Sequence, residues 1–436
     1  MLITIILTIV TFISFGLIVK KAGLAFAGKG AHPLGVFIAM QICIFSMPGV
    51  IMVSFIGWDS ERYIGINSST MFEIGMWYIY SIAVIFFILF MTICIFKPFN
   101  YRKALLDIYY LDRHWKCCKV IVFASLIFLI LQVSLFAKPP LLYLLSGQID
   151  QAYIARISMQ NDPSSYYPPF VRTFLVFFTI FQSYYVFYIY NRLEYKKLSI
   201  YLVMILSVIL AIFQSLYEVQ KAPLIYLMIG LLFIRYIHKP KIIVNIFYAL
   251  GIVALVIFLV SYVLGVDLNS AVDGALDRTF LGQNQGFYNI IQHIHPDPKY
   301  WFQDLYFAGT LGLNPSRADV DVIPYIYGDR DDIVNVNSYF LGQAWSMFGE
   351  VGLIISPIIV GAAISLYIIV LDRLIKIDNT LFIPFMIFFI PSIMLNQSFT
   401  YFLYGKYFLL SLINVFVFYM IIKISGRLTL KKKGKL

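Results

Sequence analysis

The chain has 436 residues, of which 61% are hydrophobic, 18% aromatic and only 13% charged. Its mean hydropathy of +0.84 is far above that of soluble domains, in which about a quarter of the residues are charged. This composition excludes one soluble globular core and predicts an all-α, polytopic integral membrane protein. Residues 1–436 are expected to form a single membrane domain, long enough for about ten or eleven spans of roughly 20 residues each.

Eleven apolar runs follow one another along the chain, and each is a candidate transmembrane helix. They lie at about 2–19, 35–57, 74–96, 119–137, 170–190, 199–217, 222–238, 243–264, 351–371, 381–396 and 407–423. Strands of a membrane barrel would instead alternate apolar and polar residues over about ten positions. The first run has neither a basic segment before it nor a small-residue cleavage site, which predicts a retained helix rather than a signal peptide.

Lysine and arginine are concentrated in every second loop, as expected for loops that face the cytoplasm. If the basic C-terminus is inside, roughly 23 of the 33 basic residues lie in or beside inside loops. This pattern predicts eleven helices with the N-terminus outside and the C-terminus inside. Together with attraction to anionic membrane lipids, it accounts for the net charge of +11, so no nucleic-acid partner is implied.

The polar residues outside the spans are concentrated in two outer loops, at about 138–169 and 265–350, and in a tight outer hairpin that contains Glu218 and Lys221. The interiors of the spans hold almost no ionisable side chains, which are the usual mark of ion and proton pathways. A coupled transporter is therefore disfavoured, and the chemistry is expected at the outer face.

The larger outer loop begins with residues 275–298, whose apolar residues are spaced like a short helix lying along the membrane. Pro296 is expected to end this helix. Arg278 stands at one end of the stretch, and Gln283 and Asn284 lie in its middle. The loop is thus predicted to carry short interfacial helices with polar residues on them.

The rest of the loop is acidic and rich in turns, and its last part leads from Asn337 into the next span. Gly342, Gly349 and Gly352 are expected to allow close helix packing at this junction.

Two features of the large loop contain residues that often bind metals, but neither has the pattern of a metal site. His293 and His295 form an HxH pair, yet no third and fourth ligand follow at fitting spacing. The aspartates between 319 and 332 lack the D-x-D-x-D-G order and the distal Glu of a calcium loop. An interfacial helix and a solvated acidic turn explain them better, and no metal or other cofactor is predicted. The abundant aromatic residues are first an interfacial belt, with stacking on sugars as the alternative.

Four basic residues on the outer side oppose the topological bias, which means that each needs another reason to be there. They are Arg156, Lys221, Arg278 and Arg317. Single salt bridges within the loops are one explanation. The other is a cluster that faces a phosphate or pyrophosphate at the membrane surface, because a guanidinium fork matches such oxygens.

A moderate outer loop precedes the middle of the chain, and a much larger one precedes the last spans. SLYEVQKAPLIYLMIGL forms a small outer hairpin with a basic residue, and NSYFLGQAWSMFGEVGLI forms the junction into the next span. In this architecture, which covers most of the chain, and in these two stretches the chain resembles the O-antigen polymerases, the Wzy-type polymerases of oligosaccharide repeat units. The same junction resembles the O-antigen ligases at Asn337, Leu341, Gly349 and Gly352, but Val336 stands where the ligases have a His.

The resemblance implies a GT-C-like membrane enzyme that transfers a glycan between two polyprenyl-pyrophosphate-linked oligosaccharides, one the donor and one the acceptor, at the periplasmic face of the bacterial inner membrane. A chain-length regulator is the further partner that it implies. Such a reaction needs cations on the leaving pyrophosphate and a positioned acceptor hydroxyl. An O-antigen ligase and a flippase or exporter of lipid-linked oligosaccharide are the alternatives, and a passive scaffold is the least favoured class.

The candidate site residues follow from this hypothesis. Arg278 and Arg156 are expected to bind the donor pyrophosphate, and their neutralisation to abolish chain growth. The candidates for an acceptor-side base are Glu218, His293 and Glu350. The remaining expected substrate contacts are Lys221, Arg317, Asn337, Gln283 and Asn284.

Overall fold

The computed structural model describes residues 46–58, 60–96, 111–161, 165–167, 172–194, 197–238, 267–305, 311–313, 315–328 and 335–433, with single positions elsewhere. Within these ranges the chain is helical and contains no strand. The protein is therefore an all-α protein with several apolar helices, as its composition predicts.

The helices are numbered in chain order. They are α1 (Met47–Val50), α2 (Ser68–Phe96), α3 (Leu111–Leu135), α4 (Pro140–Leu145), α5 (Ile149–Asn161), α6 (Arg172–Arg192), α7 (Leu198–Leu216), α8 (Lys221–His238), α9 (Leu268–Phe280), α10 (Gln285–His293), α11 (Ala318–Asp321), α12 (Ile323–Tyr327), α13 (Phe340–Ile377), α14 (Asn379–Phe389), α15 (Phe399–Leu403) and α16 (Lys406–Lys433). A π-helical turn, Ile51–Ile56, continues α1.

Six of the described helices are long and apolar enough to cross a membrane. They include all or most of α2, α3, α6, α7, α13 and α16, while the apolar segments at 47–56, 222–238 and 379–389 are shorter. All nine coincide with runs expected to be spans. The predicted spans at 2–19 and 243–264 lie outside the described residues except for single positions. Helices α2, α3 and α13 begin six to eleven residues before the apolar runs, because α2 and α3 start with polar turns and α13 includes the end of the predicted outer loop.

The hydrophobic core is centred on α6, which packs against α3, α7, α8 and α14. Five of its nine aromatic side chains are buried, namely Phe178, Phe181, Tyr184, Tyr185 and Tyr188. Phe181 is the centre of an aromatic group, with ring centroids 4.6 Å from Phe418, 5.6 Å from Phe385 and 5.7 Å from Phe388. Because offset and edge-to-face pairs add to the gain from burial, this group fixes α6 against α14 and α16.

The first part of the large loop differs from the surface helix expected there. It forms two helices, α9 and α10, and α10 is inserted between α13 and the loop residues rather than lying along a surface. Phe287 and Ile290 are at most 1% exposed. Helix α10 ends at His293, and Pro296 follows at the third position beyond, as expected of a helix stop.

Close packing of α10 against α13 depends on glycines. The backbone N–H of Gly286 donates to the carbonyl of Asn337 at 2.8 Å, and a Cβ at Gly342 would lie 3.1 Å from the Cα of Phe287. Gly349, with φ +61°, divides α13 into two helical segments. Since L-residues other than Asn and Asp rarely adopt this conformation, the glycine permits the change of direction.

The helix ends form two groups, which we call the loop end and the opposite end. At the loop end the N–H of Leu141 donates to the carbonyl of Tyr217, and at the opposite end Nε of Arg113 donates to the carbonyl of Ile422. In each contact, the eleven-helix topology assigns the two residues to one side of the membrane: the outer side for Leu141 and Tyr217, and the inner side for Arg113 and Ile422. The outer loops of the prediction are thus those that meet at the loop end.

Candidate functional site

Charged and aromatic side chains from five separate segments meet at the loop end. We call this group the loop-end cluster. It consists of Tyr167, Arg172, Glu218, Gln220, Asp304, Arg317, Asp319, Thr400, Tyr401, Lys406 and Tyr407. The first four form its hairpin arm, because they surround the turn between α7 and α8. Asp304, Arg317, Asp319 and Thr400 form its loop arm.

The hairpin arm is built around a tight turn between α7 and α8. Val219 has φ +54°, and its N–H donates to the carbonyl of Leu216 at 2.7 Å. A positive φ is unusual for a β-branched residue and costs about 1–3 kcal/mol. The turn directs the adjacent Glu218 towards the start of α6.

Glu218 is only 12% exposed and accepts four hydrogen bonds. Nε and Nη2 of Arg172 donate to its two oxygens, the hydroxyl of Tyr167 donates to Oε1 at 2.9 Å, and Gln220 donates to Oε2 at 3.0 Å. Burial, followed by the charge of Glu218, raises the pKa of Tyr167 well above its ordinary value, so this hydroxyl stays a donor. A carboxylate has about four lone-pair sites, and all of them are used here.

Arg172 uses one edge of its guanidinium group for Glu218. A guanidinium carries five N–H donors, and the donors of Nη1 are directed away from the carboxylate. The side chain remains 32% exposed. Arg172 is therefore held in one orientation and still presents donors at the start of α6.

Arg317 repeats this arrangement in the loop arm. Its Nε and Nη2 donate to the two oxygens of Asp319 at 3.3 and 2.6 Å, and its side chain is 41% exposed. Burial alone lowers the pKa of Arg317, but Asp319 and the further charge of Asp304 more than reverse this effect. The group stays charged and exposes its second edge.

Asp304 is the second carboxylate of the loop arm, and its backbone has φ +62°. Its Oδ2 accepts a hydrogen bond from the hydroxyl of Thr400 at 3.0 Å. Thr400 is in turn held by Gln343, which donates to the Thr400 hydroxyl at 3.2 Å and accepts from the Thr400 N–H at 3.0 Å. Because Thr400 and Gln343 are buried, Asp304 is tied to a rigid part of the bundle.

Tyrosines connect the two arms. The rings of Tyr401 and Tyr407 lie 4.4 Å apart, and Tyr407 is within electrostatic reach of Arg172, Arg317 and Asp304. Burial raises the pKa of Tyr401 well above its ordinary value, so it stays protonated at neutral pH. Tyr407 therefore links the charged groups of the two arms electrostatically.

The six charged side chains of the cluster balance one another. Three are cations and three are carboxylates, namely Arg172, Arg317, Lys406, Glu218, Asp304 and Asp319. Loss of one carboxylate charge by protonation would leave the cluster with a net positive charge beside an incoming anion. Such an arrangement suits a reaction in which a proton is taken up while a leaving group becomes negative.

Two of the residues expected from the sequence, Glu218 and Arg317, lie in the loop-end cluster, and Lys221 begins α8 directly after its hairpin. Arg278 lies elsewhere, at the end of α9, and is exposed. Arg156 is half-buried on α5. Neither of these two arginines has an ion-pair partner among the described residues.

Gln283, Asn284 and Asn337 have structural contacts. Gln283 donates to the carbonyl of Arg278 at 3.0 Å. Asn284 is fully buried, where it donates to the carbonyl of Ser46 at 2.9 Å and accepts from Asn396 at 2.9 Å. It therefore joins three segments rather than facing a substrate on the loop surface. Asn337 is exposed and binds Gly286 through its carbonyl.

His293 and Glu350, the other expected bases, are outside the loop-end cluster. The ring of His293 stacks on Tyr325 with centroids 4.9 Å apart, and burial lowers its pKa. Glu350 is exposed next to the break at Gly349. No group of three potential metal ligands occurs among the residues that the structure describes.

The sequence reasoning missed Arg172, Asp304, Thr400 and Lys406. Arg172 and Lys406 are the first residues of their helices; Arg172 lies within the predicted run 170–190, and Lys406 directly precedes the run 407–423. Their position at the outer ends of two spans is the signal that was available. Asp304 and Thr400 are 96 residues apart, and no local pattern joins them.

No protein-family model, curated protein or solved structure matches this chain.

Proposed function

We propose that the protein is a polymerase of an O-antigen or related surface polysaccharide. It joins polyprenyl-pyrophosphate-linked oligosaccharide repeat units by glycosyl transfer at the loop end, which faces the periplasm. The observation that carries this proposal is the loop-end cluster, in which oriented guanidinium groups, carboxylates and tyrosines meet at the ends of apolar helices. The proposal includes eleven spans in a GT-C-like arrangement in the inner membrane, with the N-terminus outside and the C-terminus inside.

The position of the cluster suits a substrate with a lipid anchor. A polyprenyl chain lies in the hydrocarbon region, so its pyrophosphate is at the level of the helix ends. Arg172 and Lys406 are the first residues of α6 and α16, the level at which such a pyrophosphate would lie. A water-soluble nucleotide-sugar would need no such location.

The two arginine forks suit the leaving pyrophosphate. Arg172 and Arg317 are each fixed by a carboxylate on one edge and expose the other edge. Fixed donors stabilise developing negative charge better than mobile ones, because they need no reorganisation during the reaction. Arg278 and Arg156 keep their proposed role in capturing the pyrophosphate, since both lack described ion-pair partners.

Exposed aromatic rings beside the cluster suit the sugars. Trp301 is 40% and Phe302 41% exposed, and the indole N–H of Trp301 donates to the carbonyl of Met347 at 2.7 Å. The hydroxyl of Tyr404 donates to the carbonyl of Trp301, which places this loop against α15. Rigid rings next to oriented polar groups are a common way to bind a partly apolar sugar face.

A buried polar layer favours a flippase or exporter as the second candidate. Between α3, α6 and α7 a small cavity is lined by hydroxyl and amide groups of Ser125, Gln132, Thr179 and Gln214. The side-chain nitrogen of Gln214 has no hydrogen-bond partner among the described residues. Polar groups of this kind inside a bundle are expected along the path of a translocated head group. Their small number makes this the weaker candidate.

Deletion of the gene in the source organism, followed by electrophoresis of its lipopolysaccharide, tests the proposal. A polymerase predicts that lipid A core carries one repeat unit and that the ladder of longer chains is lost. Bare core would point instead to a ligase or an exporter. An unchanged ladder would remove the protein from this pathway. Re-expression of the intact gene, which should restore the ladder, is the control.

A further inference from the structure

We propose that Asp304 is the general base that takes the proton of the acceptor hydroxyl, and that Thr400 and Gln343 position it. This assignment rests on the glycosyl transfer proposed above, because it names the catalytic carboxylate of that same site. None of the bases expected from the sequence is Asp304.

The hydrogen bonds separate Asp304 from the other carboxylates of the cluster. Glu218 accepts four, and Asp319 accepts two from Arg317 and a longer one from Gln303 at 3.4 Å. Asp304 accepts one among the described residues, from Thr400. Since a carboxylate has about four lone-pair sites, Asp304 has most of them left for a substrate hydroxyl.

The backbone and the buried contacts hold Asp304 in this state. Its φ of +62° lies in the left-handed region, which aspartate adopts more readily than most residues. The hydrogen-bond chain from Gln343 to Thr400 to Asp304 begins in α13, which is one of the longest helices of the bundle. The carboxylate is thus both accessible on one side and fixed on the other.

Two cations and two tyrosines lie around Asp304. Arg317 and Lys406 both interact electrostatically with it, and Tyr401 and Tyr404 lie within the same reach. Burial raises the pKa of both tyrosines, so they remain donors rather than bases at neutral pH.

The reaction step balances as follows. The acceptor hydroxyl oxygen forms a bond to the anomeric carbon of the donor glycan while its proton passes to a carboxylate oxygen of Asp304. The bond between the anomeric carbon and the pyrophosphate oxygen breaks, and its electron pair leaves with the pyrophosphate. Protonation of Asp304 removes an anion from the side of Arg317 and Lys406, which then stabilise the leaving group. The proton is released afterwards to water.

Asp304→Asn is the sharpest variant for testing this role. Asparagine tolerates a positive φ as well as aspartate does, and its side-chain oxygen can accept the hydrogen bond from Thr400. The substitution therefore keeps the backbone conformation and the hydrogen bond while it removes the carboxylate charge and the ability to take a proton. Asp297→Asn is the matched control, because Asp297 lies on the same loop, is exposed and caps a turn by accepting from the N–H of Lys299.

The assay uses the full-length protein in proteoliposomes and lipid-linked repeat units extracted from a strain of the source organism that lacks the gene. We expect Asp304→Asn to lower kcat by about 100-fold or more with KM little changed, and Asp297→Asn to match the unaltered protein. Asp304→Asn with at least half of the normal kcat would overturn the assignment and leave the polymerase proposal standing. No product from the unaltered protein would overturn both.

Thr400→Val and Thr400→Ser test the positioning role. Valine keeps the shape of threonine and removes the hydroxyl, so kcat should fall about fivefold, the effect of one hydrogen bond, while KM is unchanged. Serine restores the hydroxyl and should restore kcat. Equal kcat values for the two variants would contradict positioning by Thr400.

Discussion

The two arms of the loop-end cluster use their carboxylates in opposite ways. In the hairpin arm, Glu218 is 12% exposed, and two donors of Arg172 together with two further donors occupy it. In the loop arm, Asp304 has one described donor and a backbone held at positive φ. Both carboxylates lie beside arginines, but only Asp304 keeps acceptor sites that the described residues do not use. Hydrogen-bond saturation therefore distinguishes the two carboxylates, whereas proximity to cations does not.

The largest effect is expected from Arg317→Ala. Loss of a fixed donor to the leaving pyrophosphate should lower kcat by about 10²–10³-fold in the proteoliposome assay. Arg317→Lys should restore only a small part of the kcat lost in Arg317→Ala. An ammonium group lacks the two planar edges with which a guanidinium group can bind Asp319 and a phosphate at once. Full recovery by lysine would show that the charge, and not the fork, is what matters.

Glu218→Gln should have a smaller effect on kcat, about tenfold, and a clear effect on stability. The amide nitrogen of glutamine would face the donors of Arg172, which leaves a charged group without its partner at a cost of about 1–3 kcal/mol. A lower melting temperature of the purified protein in detergent micelles is therefore expected. If Glu218→Gln lowered kcat as much as Asp304→Asn without loss of stability, the assignment of the two arms would be reversed.

Arg278→Ala should act on substrate capture. Arg278 is exposed at the end of α9 and outside the cluster, so its removal is expected to raise KM by up to about tenfold, as for loss of one charge-assisted contact, with kcat little changed. Complete loss of chain growth would instead support the stronger role predicted from the sequence. The KM of Arg156→Ala, measured in parallel, tests whether the arginine on α5 also captures the substrate.

The smallest effect concerns pH and His293. Burial lowers the pKa of His293 below the ordinary 6.5, so the folded protein resists protonation that the unfolded chain accepts. Stability should therefore fall as the pH drops below about 6.5. His293→Gln should show a slightly weaker decline in melting temperature between pH 7.5 and pH 5.5. Identical declines in both proteins would mean that His293 does not contribute.

The helices were predictable from the sequence because apolar runs of sufficient length have few alternatives in a membrane protein. The nine apolar segments that the structure describes all overlap the predicted runs. The first turns of α2 and α3, which are polar, and the first eleven residues of α13 lie outside those runs. Helix α10 was expected at a surface because its apolar face was visible in the sequence, but the partner helix α13 was not.

The site was predictable only in part. Arg317 stood out because a basic residue on the outer side opposes the topological bias, and Glu218 because it lies in the outer hairpin; both lie in the cluster. Arg172 was hidden at the edge of an apolar run. Asp304 gave no local signal at all, since its positive φ and its bond to Thr400 arise only when distant segments meet.

Equilibrium binding of radiolabelled undecaprenyl pyrophosphate to the protein in nanodiscs tests the central claim most directly. The account predicts saturable binding that weakens at least about tenfold in Arg317→Ala and in Arg172→Ala, as for the loss of a charge-assisted contact, and that stays unchanged in Asp297→Asn. Equal binding by the unaltered protein and both arginine variants would contradict the claim that the loop-end cluster holds the lipid-linked pyrophosphate.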